Sequence, residues 1–96
     1  MKYRFEWDAD KAKLNIRKHG VSFEEAMTVF GDTLAFVFDD DSHSREEYRE
    51  LIIGHSIAGR LIIVSFTERP NRILRIISAR AATTREGRDY EENRKI

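Results

Sequence analysis

Apolar and polar residues alternate at the start of the chain, where Tyr3, Phe5 and Trp7 are separated by Arg4 and Glu6, the period-two pattern of a short half-buried strand. The period then changes to that of a helix. Ala9, Ala12, Ile16 and His19 recur at helical spacing, with Lys11, Asn15 and Lys18 on the neighbouring polar stripe. Asp8 or Asp10 can cap this helix, and Gly20, just past its last turn, accepts a left-handed backbone cheaply. Ser22-Phe23-Glu24-Glu25 has capping-box spacing and opens a second helix, with Val21 and Ala26 placed for a hydrophobic staple. Its apolar face is Phe23, Ala26, Met27 and Phe30, and Gly31-Asp32 stops it.

Strand patterns follow. Thr33–Phe38 places Leu34, Phe36 and Phe38 on one side, Glu47–His55 reads as a second strand, and Arg60–Thr67 as a third across the hairpin-length link Ser56-Ile57-Ala58-Gly59. Leu61-Ile62-Ile63-Val64 has almost no polar interruption, which predicts a central strand covered on both faces. Glu68-Arg69-Pro70-Asn71-Arg72 turns the chain into a fourth strand, Ile73–Ala79, and Thr83-Thr84-Arg85-Glu86 repeats the capping-box spacing before a last helix reaching toward Arg94. The order β-α-α-β-β-β-β-α predicts an α+β fold: an antiparallel, mostly meander sheet of four to five strands, two N-terminal helices and one C-terminal helix, with the helices on one face.

The length of 96 residues fits one domain, spanning 1–96. An apolar share of 41% supports a core, and a charged share of 35% makes every surface element ionic. No apolar run approaches the roughly 20 residues of a membrane span, and Met1–Glu6 lacks the apolar stretch of a signal peptide, so a cytoplasmic protein without membrane partners is expected. The absence of cysteine excludes disulfides, thiolate nucleophiles and cysteine-based metal sites. The net charge of zero conceals a division, because residues 1–48 hold seven Lys/Arg against eleven Asp/Glu and residues 49–96 hold ten against six. Between positions 58 and 85 stand six Arg and only Glu68, a concentration that either meets phosphate or is neutralised by the acidic half.

Strict alternation places Arg75 inside the fourth strand on the face of Ile73, Ile77 and Ala79. A guanidinium cannot shed its charge, so there it needs either an internal acid, on a neighbouring strand or at Glu86, or an anion from outside. Arg80 ends the same strand and Arg60 starts the one expected beside it, so the three could share a concave face whose forks suit the oxygens of a phosphodiester. His19, with an ordinary pKa of about 6.5, is either a proton-transfer group or a satisfied histidine at a helix C-terminus. His43 beside Asp39, Asp40 and Asp41 offers metal-ligand atoms, but consecutive Asp residues point in different directions and lack EF-hand spacing, so a solvated turn is expected and no metal. His55 ends an apolar strand as a packing residue. The glycines at 20, 31, 54, 59 and 87 never approach a phosphate-loop spacing, no nucleophile elbow surrounds any serine, and no cofactor is expected.

Phe5-Glu6-Trp7-Asp8, Lys11, Asn15, Lys18-His19-Gly20-Val21-Ser22-Phe23-Glu24-Glu25-Ala26 and Phe30-Gly31-Asp32 together resemble the N-terminal half of BrnT-type toxins. Arg49, Ile53-Gly54, Gly59-Arg60, Thr67-Glu68-Arg69, Arg75-Ile76-Ile77-Ser78-Ala79-Arg80, Ala82-Thr83, Glu86 and Tyr90 extend the resemblance to nearly the whole chain, leaving out the acidic stretch Asp39–Ser44. The resemblance implies the toxin of a bacterial type II toxin–antitoxin pair, with a RelE-like fold and a metal-independent endoribonuclease activity that arrests translation. It implies a BrnA-like antitoxin as partner, in a hetero-oligomer such as a heterotetramer, with DNA bound only through the antitoxin. The RNA's own 2′-OH would attack the adjacent phosphate, with Arg60, Arg75 and Arg80 stabilising the charge, His19 with Lys18 moving protons, and Lys11, Glu68 and Tyr90 contacting substrate. A different class of reading stays open beside it: a module that binds RNA or an acidic protein on the same Arg-rich face without cutting.

Overall fold

The computed structural model describes residues 2–40 and 47–94. Its elements are β1 (Arg4–Glu6), α1 (Ala9–His19), α2 (Phe23–Thr28) followed by a single 3-10 turn, β2 (Phe36–Asp39), β3 (Glu50–His55), β4 (Leu61–Arg69), β5 (Ile73–Ala81) and α3 (Thr84–Arg94). Local signals set most of these limits. Asp8 caps α1 by accepting from the N–H groups of Asp10 and Lys11, and Gly20 closes it at φ 68° with its N–H on the Ile16 carbonyl. Ser22 caps α2 through the Glu25 N–H, but the Glu25 carboxylate turns away from the helix toward Arg60, so the box is half made. The box at α3 is complete: Thr83 Oγ1 accepts from Glu86 N–H, and Glu86 Oε1 accepts from Thr83 N–H. β2 begins three residues later than expected because Asp32 folds the chain into a turn, its Oδ1 taking the Leu34 N–H and its carbonyl the Ala35 N–H.

The five strands lie in the order β1-β5-β4-β3-β2. β2 to β5 form the expected antiparallel meander, whereas β1 joins the far edge parallel to β5, with Arg4 opposite Ile73 and Glu6 opposite Arg75, which makes the sheet mixed. The helices cover both faces rather than one, because β3 and β4 are apolar on both sides. Ile52, Ile62, Val64 and Phe66 pack with Phe23, Ala26 and Val29 of the α2 region, and the alternate residues Ile53 and Ile63 pack with Tyr90 of α3.

Two features of β5 position everything that follows. Ser65 pairs with Ser78 but Phe66 pairs with Ile76, so Ile77 is an extra residue, a bulge that reverses the alternation. Leu74, Ile76 and then Ala79 face the helical core, while Arg75, Ser78 and Arg80 share the opposite face. The alternation expected from sequence, with Arg75 on the side of Ala79, is therefore corrected by one residue. Where β1 ends at Glu6, the buried side chain of Asn15 takes over the edge of β5: its Nδ2 donates to the carbonyls of Ala79 and Val21, and its Oδ1 accepts from the Ala79 N–H. α1 thus docks through an amide, and Ile16, expected on its packed face, is 50% exposed.

Candidate active site

A hollow of about 410 Å³ lies on the second face of the sheet, at the C-terminal half of β5 just past the bulge. Its floor is Leu51 and Ile63, and its polar lining is His19, Asp40, Arg49, Ser65, Ser78 and Arg80. Ser65 and Ser78 are direct cross-strand partners, so two hydroxyl groups stand side by side where the flanking strand residues are apolar. The Ser65 hydroxyl is buried and has no hydrogen-bond partner among the described residues. His19, the last residue of α1, reaches the hollow around the edge that Asn15 has closed.

Arg80 is held by a two-point ion pair, with Nη1 and Nη2 each donating at 2.8 Å to the two oxygens of Glu86 in the first turn of α3. The guanidinium bonds and the Thr83 N–H outweigh partial burial and hold the Glu86 carboxyl at about 2, against an ordinary 4.5. Reciprocally, Glu86 raises the Arg80 pKa. The Nε–H of Arg80 is left over by this pair, so the group can still address an anion in the hollow.

The three arginines do not converge. Arg60 clasps Glu25 with Nε at 3.0 Å from Oε2, and Nη2 bonds the Gly20 carbonyl at 3.0 Å as well as Glu25. Arg60 and the Ser56 hydroxyl hold the Glu25 carboxyl below its ordinary value despite its burial. This cluster ties the β3–β4 hairpin to α2 and does not line the hollow. Arg75 bonds Glu6 of the neighbouring β1 at 2.9 Å, the internal-acid alternative, and lies opposite Thr67, four residues of β4 from the Arg80 partner Ile63, about 14 Å along the strand. A face of three guanidinium groups without built-in counter-ions is thus not present, since each is matched by an acid from another element.

The remaining expected residues separate in the same way. Glu68 is exposed opposite Leu74, at the far end of β4 from the hollow. Lys11 and Lys18 are exposed on α1. Tyr90 is only 1% exposed: its hydroxyl donates to Asp32 Oδ2 at 2.8 Å and lies 3.2 Å from His55 Nδ1, so it anchors α3 and does not line the hollow. Asp32 also accepts the His55 N–H, and these bonds hold its carboxyl low against the cost of burial. His55 packs edge-on against the Tyr90 ring, in the packing role expected of it. The residues that sequence reasoning missed as lining are Asp40, Arg49, Ser65 and Ser78. The serines did carry a signal, since each is a small hydroxyl set between apolar neighbours, Ser65 between Val64 and Phe66 and Ser78 between Ile77 and Ala79. The stretch with Asp41 and His43 lies outside the described residues, and among the described ones no group of three acids or histidines is placed to hold a metal ion. No helix among them is long and apolar enough to cross a membrane.

Comparison with known proteins agrees with this architecture. The crystal structure of the Brucella abortus ribonuclease toxin BrnT superposes with a TM-score of 0.66 at 27% sequence identity, over 86% of this chain and 100% of that one. No curated protein is a significant match to the sequence. The family model described as "Ribonuclease toxin, BrnT, of type II toxin-antitoxin system" matches residues 7–86, which takes in α1, α2, strands β2 to β5 and the Arg80–Glu86 pair. The chain therefore belongs to the BrnT family of ribonuclease toxins of type II toxin–antitoxin systems, a membership that implies an antitoxin partner.

Proposed function

We propose that this protein is itself an endoribonuclease toxin and that it cuts RNA in the hollow beside β5. The observation that carries the reading is that Arg80, Arg49 and His19 line one hollow together with two paired hydroxyl groups. Cleavage through the RNA's own 2′-OH asks the protein to position the backbone, move two protons and stabilise the extra charge on the phosphate oxygens. Arg80, oriented by Glu86, supplies the stabilising donors, with Arg49 as a second cation at the same hollow. His19 moves the proton, with Lys18 next to it in the chain. Arg60 and Arg75 support the fold around this site. The reaction as drawn uses no metal or organic cofactor.

The partner is a BrnA-like antitoxin that binds DNA on behalf of the complex, as in a heterotetramer, and the pair works in the cytoplasm. Strand pairing of the antitoxin onto β5 is unfavourable, since β1 and Asn15 already occupy that edge. The outer edge of β2 and the flanking helices are the open routes. Expression in bacteria tests the reading: wild-type protein arrests growth, Arg80→Ala with an unchanged circular dichroism spectrum does not, and co-expression of the neighbouring antitoxin frame restores growth. A folded wild-type chain that binds RNA, leaves it whole and harms no cell would make it a binding module instead.

A further inference from the structure

β2 ends the sheet on one side, and among the described residues no strand lies beyond it. The Asp40 N–H bonds the Arg49 carbonyl, on the β3 side, so by the alternation of an antiparallel ladder Phe38 and Phe36 also turn their backbone groups toward β3. The N–H and C=O groups of Val37 and Asp39 therefore point outward. Proteins usually blunt such an edge with Lys, Pro, a bulge or a very short strand. β1, at the opposite edge, follows that rule with three residues and the charged Arg4 and Glu6. β2 does not: Phe36-Val37-Phe38-Asp39 pairs in unbroken register, and Val37 and Phe38 are 47% and 39% exposed. Beside this edge Phe36, Phe38, Ile53 and Ile63 line a groove of about 190 Å³ together with Glu86 and Asp89 of α3.

The surroundings are acidic. Gly31 to Asp40 contains no Lys, Arg or His, and Asp39 stands opposite Glu50 in the register. Burial, with the charges of Asp39 and Glu68 nearby, holds the Glu50 carboxyl above its ordinary value. Arg49 is committed to Glu47 and the hollow, and Arg88 lines a separate groove with His55 and Leu61. An incoming strand that alternates apolar residues with Lys or Arg would fill the groove and complement this charge.

We infer that an extended, basic segment of the antitoxin adds to the sheet as a sixth strand along the outer edge of β2, bonding the backbone of Val37 and Asp39 and seating an apolar side chain in the groove. This rests on the partner that family membership implies, not on the ribonuclease reading. Asp40, the residue after β2, lines the hollow, so a segment that runs on past Asp39 reaches the hollow's mouth. A second copy of this chain is the competing occupant, but pairing β2 with β2 would bring two acidic rims together.

The test is amide hydrogen exchange of the wild-type chain, alone and with the purified antitoxin encoded by the neighbouring reading frame. Exchange at Val37 and Asp39 slows by about tenfold or more in the complex. Val37→Pro removes an outward N–H and leaves the bonds to β3 in place, so it weakens the Kd for the antitoxin by about tenfold or more. Leu14→Lys with Ile16→Lys, on the exposed face of α1, keeps the wild-type Kd. If Val37→Pro fails to fold, the exchange measurement decides. Unchanged exchange at both amides in a complex that forms, or a wild-type Kd for folded Val37→Pro, overturns the strand addition, as does an antitoxin that does not bind. Loss of affinity in the α1 variant alone moves the antitoxin to that helix, and slowing at Val37 and Asp39 as the concentration of the chain by itself rises assigns the edge to a second copy. None of these measurements reads cleavage, so their failure leaves the ribonuclease reading standing and its failure leaves them standing.

Discussion

Substituting Glu86 with Gln keeps the side-chain length and an acceptor for the Thr83 N–H, but removes the charge facing Arg80. The carboxyl titrates at about 2 rather than 4.5, and at about 1.36 kcal/mol per pH unit that gap corresponds to about 3 kcal/mol of folding stability. Solvent reaches both partners, the side chains being 42% and 28% exposed, and screening reduces the usable part to about 1–2 kcal/mol. Because the carboxyl is more acidic in the folded chain, the contribution is complete above the unfolded value of 4.5 and disappears as the pH falls toward 2. Thermal unfolding at neutral pH therefore gives Glu86→Gln a Tm lower by about 5–10 °C, and the two proteins converge between pH 4.5 and pH 2. A double-mutant cycle with Arg80→Met should return a coupling of about 1–2 kcal/mol at pH 7 and close to none at pH 2.5. A Tm gap of the same size at both pH values would refute the linkage and reduce Glu86 to a helix cap.

Three further substitutions probe the frame around the site. Asn15→Leu fills a similar volume but strands the Ala79 N–H and the carbonyls of Ala79 and Val21, so urea unfolding should show a loss of about 2–4 kcal/mol. Gly54→Ala would place a methyl group 2.7 Å from the Ala35 Cβ and 3.0 Å from Asp32 Oδ2, a clash expected to cost about 1–3 kcal/mol in the same assay. Ser65→Ala removes a buried hydroxyl that has no partner among the described residues, and the variant should be as stable as wild type or more so; a loss above about 1 kcal/mol would mean that the hydroxyl is bonded in the folded protein.

What the sequence disclosed was mostly local. Asp8, Gly20, Ser22 and the Thr83–Glu86 box act within one helical turn, so reading them needs no knowledge of the rest of the chain. The apolar run of β4 was legible for the same reason, being covered on both faces whatever the topology. The site depended on contacts distant in sequence. The extra residue at Ile77 arises from the pairing of β4 with β5 and brings Arg75 to the face of Arg80, opposite Ala79, a shift that alternation within one strand cannot reveal. Asn15 sits in a polar stripe and reads as solvated, yet it meets an edge 64 residues away. Sequence left open whether the three arginines were matched, because their acids, Glu25, Glu6 and Glu86, come from elements whose placement is set only by the fold. Tyr90 looked available because the helix around it is polar; Asp32 and His55, which enclose its hydroxyl, come from other elements.

The central claim is that this chain cuts RNA at the hollow holding Arg80 and His19. Its most direct test is incubation of purified, partner-free protein with a defined single-stranded RNA in EDTA, followed by analysis of the product ends. The account predicts fragments with 5′-OH and with cyclic phosphate or 3′-phosphate ends, formed by wild type and reduced by orders of magnitude in folded Arg80→Ala. Intact RNA, 5′-phosphate products, or cleavage by Arg80→Ala at the wild-type rate would contradict it.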